Sequence, residues 1–139
     1  MSIESEEQLE LRESLCRLSP AVKTFIASVP DGAGFIDKFW GCGLLGLDFA
    51  DVRDTSKGAK EYVFLTLDAK SLSKRLTKSS EHPRIIGIIE GGKNFTLDEN
   101  NAIIERICEI YDSGASCFQA FIRKDMKDSD ITATILLLG

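Results

Sequence analysis

The sequence predicts an α+β domain, a two-layer arrangement in which helices cover a four-stranded sheet, preceded by a helical N-terminal extension. Three observations point there. Short β-rich runs occur in "EYVFLTLD", "RIIGIIE", "ASCFQAFIR" and "DITATILLLG", each of strand length and bounded by turn residues. Segments with apolar residues at helical spacing lie before and between them, which is the pattern of helices packed on a sheet. With 139 residues, 43% of them hydrophobic and 28% charged, the chain can bury one ordinary globular core.

The N-terminal third reads as helix. Residues 5 to 18 place Leu9, Leu11, Leu15 and Leu18 among charges, giving one apolar face. In "SPAVKTFIASVP", Ser19 is a candidate N-cap and Pro20 suits the first helical position. Val22, Phe25 and Ile26 share a side, and Pro30 ends the segment. "PDGAG" is a turn, and the apolar "FIDKFWGCGLLGLDF" that follows is broken by Gly41, Gly43 and Gly46. Phe39 and Trp40 beside these glycines are expected to pack the N-terminal helices against the sheet, or else to line a pocket.

From Ala50 a short helix runs to about Lys57, Gly58 closes it, and the first strand follows. Asp68 is placed to cap "AKSLSKRLTKS", where Leu72 and Leu76 are four apart. "RIIGIIE" reads as a central strand and "GGKNF" as a loop. "TLDENNAIIERICEIYD" is the best helix: Thr96 and Glu99 form a capping box, with Leu97, Ile103, Ile104, Ile107, Cys108 and Tyr111 as its buried stripe. The last two strands, joined by the charged "KDMKDSD", are expected to form a hairpin. In the final strand Ile131, Ala133, Ile135 and Leu137 alternate, and Leu136 and Leu138 make the other face apolar as well. Something must cover both faces, either the N-terminal helices or a second subunit.

Composition excludes several classes. The 17 Lys and Arg against 22 Asp and Glu give a net charge of −5, which repels phosphate backbones, so neither nucleic acid nor a membrane is an expected partner. No apolar run approaches the roughly 20 residues that span a bilayer, and the acidic start of the chain does not resemble a secretory leader. The reading is cytoplasmic. Cys16, Cys42, Cys108 and Cys117 form no C-x-x-C pair, so reduced, buried thiols are expected and no metal site. His82 is the one histidine and reads as a loop residue. Neither a Ser-His-Asp nor a Cys-His arrangement has material, and the chain is expected not to be an enzyme.

Within "GLDFADVRD", Asp48 and Asp51 lie three apart at a helix start. "LDFADVRD" resembles the loop and following helix that open the C-terminal half of the bacterial cell-division GTPase FtsZ, a tubulin homologue. The later elements are similar in order, and "KDMKDSDITATIL" resembles that family's Asp-Pro-x-Met-x-Asp segment and last strand. The resemblance runs from about Leu44 to Gly139, which divides the chain into a helical extension, 1–43, and an FtsZ C-terminal-domain-like domain, 44–139. It departs where the family has Asn and this chain has Gly46, and "EYVFLTLD" is bulkier than its counterpart. No Gly-rich phosphate loop precedes Leu44, and "EGGK" at Glu90 to Lys93 reads as a tight turn, so no GTP or other cofactor is expected. The family's linker and terminal peptide are not expected either.

The resemblance implies that Asp48 and Asp51 reach toward the nucleotide of a neighbouring subunit and position water there. On that basis Gly46, Asp48, Phe49, Asp51 and Arg53 are the candidate partner-binding residues. The implied partner is an FtsZ-like subunit or the chain itself, as a homo-oligomer. Local physics offers a plainer reading that stays open: Asp48 caps the helix beginning near Phe49, and Asp51 favours its dipole in the first turn, each contributing about 0.5–1 kcal/mol. An alternative function is a small homo-oligomeric ligand-binding or regulatory domain.

Overall fold

In the computed structural model, residues 20–29, 32, 34–35, 49–69, 82–127 and 130–139 are described. In chain order they form α1 (Pro20–Ser28), α2 (Phe49–Ser56), β1 (Tyr62–Asp68), β2 (Arg84–Gly91), α3 (Leu97–Tyr111), β3 (Ala115–Ile122) and β4 (Ile131–Leu138). The predicted helix over residues 5 to 18, the helix after Asp68, and Phe39 and Trp40 lie outside the described residues. α1 starts at Pro20 as expected and buries Ala21, Val22 and Phe25. In α3 the Thr96 hydroxyl accepts from the Glu99 amide at 3.1 Å while the Glu99 carboxylate accepts from the Thr96 amide at 3.2 Å. That reciprocal box satisfies two amides a helix start otherwise leaves open. Asp112 ends α3 in a left-handed conformation, φ 50.

The sheet order is β1-β4-β2-β3. β4 runs antiparallel to both β1 and β2, and β2 and β3 are parallel. The expected β3–β4 hairpin is therefore not made. Two physical reasons account for this. A parallel β2–β3 pair needs a long crossover, which α3 supplies, so β3 is laid down on the outer side of β2. β4, apolar on both faces, is stabilised only inside the sheet, and it inserts between β1 and β2 with all eight residues paired to β2.

Apolar residues fill both faces. One cluster gathers Val22, Phe25, Val52, Ile86, Leu136 and Leu138 from α1, α2 and the sheet. The other gathers Ile85, Ile89, Ile107, Tyr111, Ile135 and Leu137 beneath α3. The fold is α+β with a four-stranded mixed sheet covered by helices, and those helices lie on both faces. The double apolarity of β4 is thereby satisfied by the chain's own helices. Leu97, expected in the buried stripe, is 49% exposed. Asn100 takes a fully buried place on α3 instead.

Glycine is required at one internal position of the sheet. Gly87 of β2 sits beside Phe118 of β3 and Ile135 of β4, and a Cβ there would lie 2.4 Å from the Phe118 ring. The missing side chain is the space the ring occupies.

Candidate functional site

The candidate site is the segment from Gly46 to Asp54 and the sheet surface beneath α2. Gly46 and Asp48 lie outside the described residues. For Phe49, Asp51 and Arg53 the backbone places all three in α2, within two turns of its start. α2 is described from Phe49 onward.

α2 is anchored through Val52 and its C-terminal end. Val52 is fully buried in the cluster with Phe25 and Ile86, and Thr55 and Ser56 are buried beside it, while Asp54 is exposed. At the other end the Ala59 amide donates to the Ser56 carbonyl at 3.1 Å. Gly58 adopts φ 75, the left-handed conformation that glycine enters without strain. The Arg84 guanidinium, at the start of β2, donates to the Lys57 carbonyl and supplies positive charge where the helix dipole is negative. The C-terminal end of α2 is thus tied to the first residue of β2. Its N-terminal end, which carries the candidate residues, is the end remote from Arg84.

The lower half of the same sheet face is polar. The ladder sets Asp68 beside Thr132, Thr132 beside Glu90, and Glu90 beside Phe121 in one transverse row. Past its end, Arg123 donates through Nε to Glu90 Oε2 at 2.5 Å, with the Glu90 side chain 16% exposed. The Arg123 guanidinium also stands 5.9 Å from the centre of the Phe121 ring, within cation–π range. Gln119 is buried, and its Oε1 accepts from the Ala120 amide at 3.1 Å. Sequence reasoning missed the Glu90–Arg123 pair. The two residues are far apart in the chain and meet only through the parallel β2–β3 register, which no local signal encodes.

Among the described residues no group of three His, Cys, Asp or Glu side chains is close enough to hold a metal ion. Cys108 and Cys117 form no disulfide, and Cys117 is buried. His82 is exposed in the bend before β2 and lies 2.9 Å from Asp112 Oδ2, so it ties that loop to the C-cap of α3. No described helix is long and apolar enough to cross a membrane.

The class of fold is defined by the mixed β1-β4-β2-β3 sheet with α3 crossing from β2 to β3. It matches that of the FtsZ C-terminal domain. Similar solved structures include the empty FtsZ dimer from M. jannaschii, with TM-score 0.63 and 17% identity. A W319Y mutant of M. jannaschii FtsZ matches with TM-score 0.56 and 14% identity. The alignments cover 84% and 99% of this chain but only 37% and 42% of the FtsZ chains. This chain therefore spans about two fifths of the length of the proteins it resembles. No protein family matches at the sequence level, and no curated protein does.

Proposed function

We propose that this chain is a non-catalytic protein-association module that docks through Gly46–Asp54 on the nucleotide-bearing face of an FtsZ-type subunit. The observation that carries the reading is a helix over Phe49–Ser56, holding Phe49, Asp51 and Arg53, on a domain with the FtsZ C-terminal fold. α2 is held to the sheet by Val52 and by Arg84. A carboxylate can orient and polarise a water, but only where another surface brings a phosphate within hydrogen-bond reach. In this reading Asp48 and Asp51 act on a partner's nucleotide, with Gly46, Phe49 and Arg53 completing the contact. Docked in this way, the domain occupies the face on which the next FtsZ-type subunit would add, and so limits filament growth.

The alternative, a homo-oligomeric ligand-binding domain, drew on the two apolar faces of β4. The chain's own helices cover both, so that support falls away. The test is GTP turnover and light scattering of FtsZ from the same cell as this protein is titrated in, with the Asp48→Ala/Asp51→Ala chain alongside. Substoichiometric wild-type protein is expected to shorten filaments and the double variant to leave them unchanged. Equal behaviour of the two proteins overturns the docking role and leaves the aspartates as helix caps.

A further inference from the structure

β1 forms one border of the sheet, and its outer edge is the feature the docking reading does not use. Gly139 donates to the Glu61 carbonyl at 3.0 Å, and the Glu61 amide donates back to Gly139 at 3.2 Å. Bonded and non-bonded pairs alternate along an antiparallel ladder. Val63, Leu65 and Leu67 therefore turn their amides and carbonyls toward β4, while Tyr62, Phe64 and Thr66 turn theirs outward. Among the described residues no strand pairs with that outer side. Proteins protect such edges with lysine, proline or a bulge, and "YVFLTLD" contains neither lysine nor proline and pairs with β4 without a bulge. Tyr62 and Phe64 on one face, and Val63 and Leu65 on the other, are only partly buried.

We infer that two copies of this chain pair through the outer edges of β1, antiparallel about a twofold axis beside Phe64, joining their sheets into one. The register follows from charge and from the ladder together. It sets Lys60 opposite Asp68 of the second copy, Tyr62 opposite Thr66, Val63 opposite Leu65, and Phe64 opposite its own equivalent. Each outward amide of Tyr62, Phe64 and Thr66 then meets an outward carbonyl, while the Lys60 amide stays bonded to the Gly139 carbonyl at 2.8 Å and Lys60 contributes only its side-chain charge. The Lys60–Asp68 attraction occurs twice by symmetry, and no like charges face each other. Slipping the pairing by two residues in either direction keeps the ladder but loses both charge pairs, and an odd slip sets outward groups against inward ones. One strand pair covers less than the roughly 1,600 Å² of a standard interface, so the dimer is weak and concentration-dependent. It uses the β1 border of the sheet, whereas α2 packs against β2 and β3.

The test is sedimentation equilibrium of the full chain over a wide concentration range. The wild type is expected to pass from monomer to dimer. Lys60→Asp alone and Asp68→Lys alone each set like charges opposite one another at both ends and weaken association about tenfold or more. An equimolar mixture of the two single variants pairs opposite charges at both ends and recovers the dimer. Thr66→Pro removes one outward amide without touching the β4 ladder and also weakens it, with circular dichroism confirming the fold of each variant. A wild type that stays monomeric throughout, single variants that dimerise as tightly as the wild type, or a mixture that fails to recover association would each overturn the inference.

Discussion

Replacing Gly87 by alanine tests how tightly the sheet face under α3 is packed. Gly87 does not have a positive φ, so its backbone accepts alanine and the whole effect is steric. The added Cβ would stand 2.4 Å from Phe118 Cε1, 2.5 Å from Cδ1 and 3.3 Å from Ile135 Cγ2. Carbon pairs settle near 3.5–4.0 Å, so the Phe118 ring must move by roughly 1 Å. That ring is only 4% exposed and sits among the residues beneath α3. Overpacking of this kind costs about 1–3 kcal/mol, partly offset by the lower unfolded-state entropy of alanine, about 0.4–1 kcal/mol. The net loss is about 1–2 kcal/mol, which corresponds to a fall in Tm of about 3–8 °C. Urea unfolding followed by circular dichroism reads this directly. Combining it with Phe118→Leu, which withdraws the ring, is expected to cost less than the two changes summed, by about 1 kcal/mol. Wild-type stability for Gly87→Ala, or strict additivity in the cycle, would refute the steric account.

Three further outcomes follow from the same packing. Thr96→Ala removes half of the capping box on α3 and is expected to lower stability by about 1 kcal/mol in urea unfolding. Asn100 is fully buried with neither amide atom hydrogen-bonded, so Asn100→Leu is expected to raise stability by about 1–2 kcal/mol. A destabilised Asn100→Leu protein would show that the amide has a role the packing does not reveal. Phe25 is fully buried with ring centres of Tyr62, Phe64 and Phe35 at 5.4, 5.2 and 5.7 Å, so Phe25→Ala is expected to cost about 3–5 kcal/mol and broaden the thermal transition.

Much of the candidate site was legible only as a position. The sequence places a helix start near Phe49 because acidic and capping residues cluster there, and the structure describes helix over Phe49–Ser56. The surroundings of that helix were not legible. Val52 as anchor, the Arg84 contact with Lys57, and the Glu90–Arg123 pair each join residues from different elements, and their meeting depends on sheet order.

By itself the sequence determined what short-range physics controls. The Thr96–Glu99 box spans three residues, Gly58 supplies its left-handed turn alone, and β-branched runs extend without knowing their neighbours. Those interactions lie within one turn or one strand, so local residues suffice to specify them. Only the tertiary structure decided which strands pair. Adjacent strands joined by a charged loop ordinarily form a hairpin, yet β4 leaves β3 and enters the centre of the sheet. Burying both of its apolar faces there, between α1 and α2 on one side and α3 on the other, outweighs the lower entropic cost of closing a short loop.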